Sequence, residues 1–563
     1  MSRHRIVAAI DFGTHGTGFA WAFASEAGKE PGKRTVHFYD EWDGQPTSYI
    51  KNLTALLTNP DHEVLAWGYE AQQRFLHESR TRPDLAFFHR FKMHLLAGGA
   101  PSGPGTELEL AGRKVEQLVT AYLKVLYEFA VGRILAATGV REEEIRWCLT
   151  VPAIWRDRER RVMRDCAVAA GLPADPRRLL IAVEPEVAAL YCQHDAGVVG
   201  MGHTNERFMV VDAGGGTVDI TAYKVDGEGL TEIGYTSGGS HGATYVDQYF
   251  LENVVASRVG SDTIKRVVDL EPSAFVELLN AWERVKREFS PERQRLITVP
   301  LTFRLHRLLG DDALRRLAEA QNGVDDAVTL MPAEAAQLFE LAVGPILSLV
   351  DDQLSKIGQG SVDRILLVGG FAQSEYLRTR LADHVGKRAK VLVPSRPASA
   401  VLIGAVHYAL QPEAILGRRS RYTYGFSVAL DFEQGDPPGS KVVDTNGREK
   451  CTERFDICVR ANDIVEPGHQ VTKRYYPIYS SQESMTIAIY QATAAEPRYV
   501  TEQSCKYMAE VVVDMKSTVS MPAGQRSVDV TMLFGGTEID VRAVDTRTGV
   551  EAKASIEFSP EDD

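Results

Sequence analysis

The sequence predicts a two-lobed α/β domain followed by an all-β, sandwich-like C-terminal module. Three observations carry that expectation. A strand, an aspartate, a run of small residues, a threonine and a second strand occur twice, over residues 6–23 and 208–222. Around these repeats, strand and helix patterns alternate, as layered α/β architectures require. Past Gln411 the helical periodicity fades, and short stretches of alternating polarity take over.

In the first repeat an apolar run over 6–10 leads into Asp11, Phe12, Gly13, Thr14, His15, Gly16, Thr17 and Gly18, after which Phe19, Trp21 and Phe23 alternate with smaller residues. In the second, Phe208 to Val211 precede Asp212, Ala213, Gly214, Gly215, Gly216 and Thr217, and then Val218, Ile220 and Ala222 alternate with Asp219 and Thr221. Either stretch alone reads most simply as a hairpin turn in which glycine supplies positive φ. Repetition points further, to two related half-domains that face each other. Backbone N–H groups in a glycine-rich bend form a concavity for anions. Aspartates beside it repel a phosphate unless a divalent cation lies between, and Mg²⁺ favours such oxygen ligands. The pattern therefore predicts a magnesium-bound polyphosphate held between two lobes.

The remaining elements follow in order. Helical spacing predicts a helix over 115–135, then a strand over 145–151, a charged helix over 155–170 closed by Gly171, a strand over 179–183 and a helix over 185–191. A glycine-rich break at 197–203 separates the halves. The second half holds helices over 245–259 and 273–289, an illegible stretch over 296–329, a long helix over 332–353, a strand over 365–368 ending in Gly369 and Gly370, a helix over 374–385, a strand over 391–393 and a helix over 399–410. Residues 1–412 thus form one nucleotide-binding domain, with lobe I about 1–200 plus 396–412 and lobe II about 207–395. Residues 413–424, within which GRRSRYTYG begins, read as a basic, aromatic hinge. Residues 425–563 form the β-rich domain, with strands at 455–459, 485–490, 510–515, 528–534 and 538–544, a turn at Gly535-Gly536 and a frayed acidic tail over 559–563.

Composition narrows the class. The 563 residues exceed a single core, and 44% apolar with 25% charged content is that of an ordinary globular protein. A net charge of −13 disfavours nucleic acid or an anionic membrane as partner. Six cysteines without zinc spacing read as reduced thiols, the N-terminal apolar run is too short for a signal peptide, and no segment reads as a membrane span. The expectation is a cytoplasmic protein.

Taken in order, DFGT at Asp11, LTVPAIW at Leu149, VEPEVAAL at Val183, DAGGGTVD at Asp212, WERVKREFS at Trp282 and LLVGGF at Leu366 resemble the actin-like (ribonuclease-H-like) ATPase superfamily. Within it they resemble the seventy-kilodalton heat-shock chaperones, as a divergent member without the helical lid. The resemblance implies an ATPase that binds ATP or ADP with Mg²⁺. It implies that Asp11, Asp212 and Asp219 hold the hydrated metal, that Gly13, Thr14 and His15 line one phosphate loop, and that Gly214, Gly215, Gly216 and Thr217 line the other. Glu184 matches a carboxylate opposite the γ-phosphate; its plainer alternative is an acid favoured by a helix N-terminus. Lys92 is the candidate cleft lysine, with a solvated surface lysine as the alternative. Glu283 and Lys286 are implied at the ribose, Arg287 on the adenine face and Ser290 at the base edge, although Glu283, Lys286 and Arg287 also form an ordinary salt-bridge face at i,i+3 and i,i+4. Gly369 and Gly370 let backbone approach the adenosine.

Departures from the family pattern are equally specific. Gln373 stands where a second arginine usually sandwiches the adenine, a loss of about 0.5–2 kcal/mol. Ala243 replaces one glycine of a phosphate-binding pair and leaves Gly242 alone. The acidic, leucine-rich interdomain linker is replaced by the GRRSRYTYG stretch. The leading expectation is slow ATP hydrolysis, with Asp212 or Glu184 orienting the attacking water and Thr217 and Lys92 assisting, coupled to lobe closure. A protein or peptide client is implied at the β-rich domain. The alternatives are a nucleotide-gated protein-binding scaffold with negligible hydrolysis and a small-molecule kinase of the same superfold.

Overall fold

The computed structural model describes residues 4–95, 114–195, 205–227, 229–234, 236–357, 362–534 and 539–555. The expected break at 197–203, the Gly535-Gly536 turn and the tail at 559–563 lie outside these residues. The chain forms two compact units, Met1–Glu228 with Thr236–Ala414, and Gly229–Tyr235 with Ile415–Asp563.

In the first unit the repeated sequence becomes a repeated topology. Strand Ile6–Asp11 pairs antiparallel with Gly16–Phe23, closing at Asp11 opposite Gly18, and parallel with Ile145–Val151, which in turn pairs with Leu179–Val183. Strand Arg207–Ala213 pairs antiparallel with Val218–Asp226, closing at Ala213 opposite Val218 just beyond the Asp212–Asp219 pair, and parallel with Arg364–Val368, which pairs with Lys390–Leu392. The first strand of each hairpin is buried on both faces, which is why each reads as a continuous apolar run rather than an alternation. Each hairpin turn therefore projects from the end of a buried strand, held from both sides by its neighbours.

Helices complete the layers. Helix Ala400–Leu410 is buried along its whole length and crosses Glu184–His194 so closely that a Cβ at Gly404 would overlap the Val187 carbonyl. Helix Val115–Thr138 ends on Gly139 with φ 67°, the left-handed cap that glycine supplies. The helix expected over 245–259 runs as Ala243–Tyr249, a π-helical segment Phe250–Ala256 and a short turn Ser257–Val259. Phe250 stacks on Trp282 of helix Pro272–Arg287 with ring centroids 4.1 Å apart. The illegible stretch resolves into the antiparallel strands Ile297–Pro300 and Ala327–Leu330 around two short helices, Phe303–Leu309 and Asp311–Ala320. Helix Pro332–Ile357 is long and apolar enough by composition to cross a membrane, but Leu338, Phe339, Val343, Ile346 and Val350 are buried in the protein interior.

The second unit is built of strands with short 3₁₀ turns. The expected hinge is β-structure. Strand Ile415–Arg419 pairs parallel with Gly229–Glu232 and antiparallel with Ile464–Val465, and the Arg419 N–H donates to Glu232 Oε2 at 2.8 Å. Strand Thr423–Asp431 follows, with Tyr424 and Phe426 in the core. One five-stranded and one four-stranded antiparallel sheet supply a shared apolar cluster that includes Phe426, Ile489, Val513, Val530, Met532 and Val541. Arg526 is fully buried, and its guanidinium donates to the carbonyls of Ser480, Gln482 and Met515. This satisfies a charge that would otherwise be costly to bury.

All six tryptophans lie in the first unit, so their fluorescence reports its unfolding. Gly404→Val is expected to lower the urea midpoint of that transition by the equivalent of about 1–3 kcal/mol through overpacking at the helix crossing. An unchanged midpoint would contradict the close approach.

Candidate functional site

The two hairpin turns face each other. A Cβ at Gly215 would lie 3.1 Å from His15 Cβ, and one at Gly216 would lie 2.7 Å from Thr14 Oγ1 and overlap Met93 Sδ. Hydrogen bonds set the direction of each loop. In the second, the N–H groups of Gly242, Ala243 and Thr244, at the start of helix Ala243–Tyr249, donate to the carbonyls of Gly216, Gly214 and Gly215 at 3.1, 3.1 and 2.8 Å. In the first, Thr54 donates from Oγ1 to the Gly13 carbonyl at 2.7 Å and from N–H to the His15 carbonyl at 2.9 Å. Carbonyl and N–H of a trans peptide point in opposite directions, so the N–H groups that follow those carbonyls turn away from these partners. Gly13, Thr14, His15, Gly214, Gly215, Gly216 and Thr217 all line a cavity of about 240 Å³.

Carboxylates and ammonium groups crowd one end of that cavity. Asp11, Glu184, Asp212 and Asp219 are all buried. Lys92 Nζ lies 2.8 Å from Glu184 Oε1, and Lys51 Nζ lies 2.6 Å from Asp11 Oδ2. Lys92 is only 3% exposed, which excludes the solvated surface lysine. Glu184 occupies the first turn of its helix, as the plainer alternative has it, and also lines the cavity. Burial, followed by repulsion from Glu184, Asp219 and Asp11, raises the Asp212 pKa well above the carboxylate range. Burial and Glu184 push Asp219 up to about 7, although the Ile154 N–H donates to its Oδ1 at 2.8 Å. Glu184 is raised by burial and by Asp11, against the pull of Lys92. Four acids and two lysines leave an excess of negative charge, and the acids answer by holding protons.

This surplus fits a cation. Asp11 Oδ2 is buried and accepts no well-directed hydrogen bond. Among the described residues no three acidic, histidine or cysteine side chains converge on one point to ligate an ion directly. The arrangement suits a hydrated cation whose remaining ligands come from a phosphate, with the carboxylates behind its waters.

At the other end, Glu283 forms an ion pair with Lys286 at 2.6 Å and accepts from Arg287 Nε at 2.8 Å, so the salt-bridge face forms and also lines the cavity. Burial opposes ionisation of Glu283, yet Lys286, with His15 and Arg287, holds its pKa well below the carboxylate range. Lys286 is itself buried and pairs with Asp247 at 2.6 Å. Asp247 also accepts from Arg90 and from Trp282 Nε1, at 2.8 and 3.0 Å, which anchors the helix that carries Glu283. Burial lowers the His15 pKa to about 4, so its imidazole is neutral at pH 7. Gly369 has φ 90°, and a Cβ there would lie 2.5 Å from Asp212 Oδ1 and overlap the Ala213 carbonyl. Gly370, Phe371, Gln373 and Phe339 complete this wall.

Three of the residues singled out from sequence stand apart from the lining. Asp219, the cross-strand neighbour of Asp212, Gly242, whose N–H meets the Gly216 carbonyl, and Ser290 are not among the lining residues, whereas Ser374 is. Sequence reasoning missed Lys51, Tyr49, Arg90 and Asp247. Lys51 had one signal, as the only charged residue in the stretch SYIKNLTALL.

Comparison with known proteins places this architecture. The chain matches the Hsp70 protein family over residues 133–562. It is 29% identical to heat shock 70 kDa protein 12A of Homo sapiens, over 98% of this chain and 91% of that protein. It is also 29% identical to heat shock 70 kDa protein 12B of Homo sapiens over the same shares. Chaperone protein DnaK of Mycoplasmoides gallisepticum is 25% identical over 81% of this chain and 68% of its own length. The chain belongs to the Hsp70 family.

Proposed function

We propose that this chain is a slow, magnesium-dependent ATPase of the chaperone type, which binds ATP or ADP in the cavity between its two glycine loops. The observation that carries the reading is the opposition of those loops around buried acids and lysines. Membership of the Hsp70 family supports it independently. In this reading the two sheets of the first unit belong to two lobes, about residues 1–200 plus 396–412 and about 207–395, and hydrolysis drives their closure.

Each residue then has a task. In the loops lined by Gly13 to His15 and Gly214 to Thr217, the amides of Thr14, Gly16, Gly215, Gly216 and Thr217, with the Thr217 hydroxyl, donate to phosphate oxygens. Asp11 and Asp212, with Asp219 paired to Asp212 across the hairpin, would hold the waters of a magnesium ion, which would neutralise the phosphate charge. Asp212 or Glu184 orients the attacking water in line with the γ-phosphate, and Lys92 steadies both. Glu283 and Lys286 meet the ribose hydroxyls, and Arg287 stacks on the adenine. Gly369 and Gly370 admit the adenosine, with Gln373 and Phe371 beyond them. The β-rich unit would hold a protein or peptide client. The Lys92–Glu184 ion pair favours one second reading, a nucleotide-gated scaffold, because it occupies the carboxylate that would position water.

Single-turnover phosphate release distinguishes the two. Hydrolysis is expected in the wild type and a loss of about 100-fold or more in Asp212→Asn and in Thr217→Ala. Unchanged turnover in both variants would remove the mechanism, and binding without hydrolysis in the wild type would leave the scaffold. A pH experiment tests the acid cluster. Cation binding lowers a carboxylate pKa, so loading ADP with magnesium in excess at pH 6.5 is expected to release protons from Asp212 and Asp219, read by calorimetry in buffers of different ionisation enthalpy. The share from Asp219, whose pKa is pushed up to about 7, is expected to shrink as the pH rises through that value. Proton uptake, or no exchange at pH 6.5, would contradict the cluster.

A further inference from the structure

Lys51 has no task in that reading, yet its placement is as constrained as that of Lys92. Strand Asn52–Leu53 pairs with the first hairpin, Thr17 opposite Asn52 and Gly16 opposite Leu53, which pins the backbone of Lys51 beside the phosphate loop. The side-chain stem lies along two glycines. A Cβ at Gly16 would be 3.3 Å from Lys51 Cβ, and one at Gly18 would be 3.3 Å from Lys51 Cγ. The missing side chains of this hairpin make room for the lysine. Its ammonium then reaches Asp11 Oδ2 at 2.6 Å, with the lysine side chain 15% and the aspartate side chain 4% exposed.

The contact is a charge pair rather than a well-directed hydrogen bond, since Asp11 Oδ2 accepts none. An ammonium group carries three donors, so Lys51 keeps N–H groups for a further acceptor while it stays beside Asp11. It lines the same cavity as Gly13 to Gly16 and Glu184. A lysine acts on phosphate as a point charge, and a charge already fixed at the site needs no capture from solution.

We propose that Lys51 is a built-in counter-cation for the nucleotide polyphosphate, bridging a phosphate oxygen to Asp11, so that this chain binds adenine nucleotide without a divalent ion. The proposal rests on the nucleotide-binding reading above. Lys51 is a binding and positioning residue, and no bond is made or broken at it. Magnesium remains necessary for turnover in that reading, because Lys51 pairs with Asp11 and supplies no metal-held waters beside Asp212 and Asp219.

The test is calorimetric titration of the full chain with ADP, once with magnesium in excess and once in EDTA. The wild-type affinity in EDTA is expected to stay within about thirtyfold of that in magnesium. In Lys51→Met the ratio of the two affinities grows at least about tenfold, and in Lys51→Arg it returns to within about fivefold of wild type. A purely structural role would weaken binding equally under both conditions and leave the ratio unchanged, which overturns the proposal. A wild-type affinity that falls further than thirtyfold in EDTA also overturns it, and decides the matter should Lys51→Met not fold. Wild-type chain that binds ADP in neither condition removes the nucleotide reading itself, and this proposal with it. Binding in magnesium alone removes only the role of Lys51.

Discussion

The carbonyls of Gly214, Gly215 and Gly216 are tied to the first amides of helix Ala243–Tyr249, and this fixes which way the second glycine loop can face. Its N–H groups are turned from the helix, while Thr54 turns those of the first loop in the same manner. Two sets of donors therefore converge from two sheets. The second loop tolerates no side chain at its closest approach, because the space is taken by Thr14 and His15 of the first loop and by Met93. The glycines are thus a steric requirement of the opposition as well as a source of amides.

Buried charge follows from the same geometry. Placing Asp11 and Asp212 at the ends of buried strands brings four carboxylates into a space that water screens poorly. They cannot all ionise together. Lys51 and Lys92 neutralise part of the excess, and protons on Asp212 and Asp219 take up part of the rest. The excess that remains is one that a hydrated cation would neutralise.

Much of this was legible in the sequence because glycine and aspartate at turns leave few alternatives. The two hairpins, the strands over 145–151 and 365–368 and the Glu283 helix all follow from pattern. The rest was hidden for physical reasons. GRRSRYTYG has the composition of a linker, yet Tyr424 and Phe426 enter the core and residues 415–419 are an edge-paired strand. A π-helical segment in 250–256 uses the same residues as an α-helix, so periodicity does not separate them. Residues 297–330 divide into elements of four to ten residues, too short to show a period. Lys51, Arg90 and Asp247 act through partners distant in the chain, and a lone charge carries no spacing.

The central claim is that the opposed loops bind an adenine nucleotide. Equilibrium dialysis of the purified chain against ATP with magnesium in excess tests it most directly, with Gly216→Val as the control in which a side chain fills the gap between the loops. The account predicts about one nucleotide per chain for the wild type and none for the variant. No detectable nucleotide on the wild-type chain, or equal binding by the variant, would contradict it.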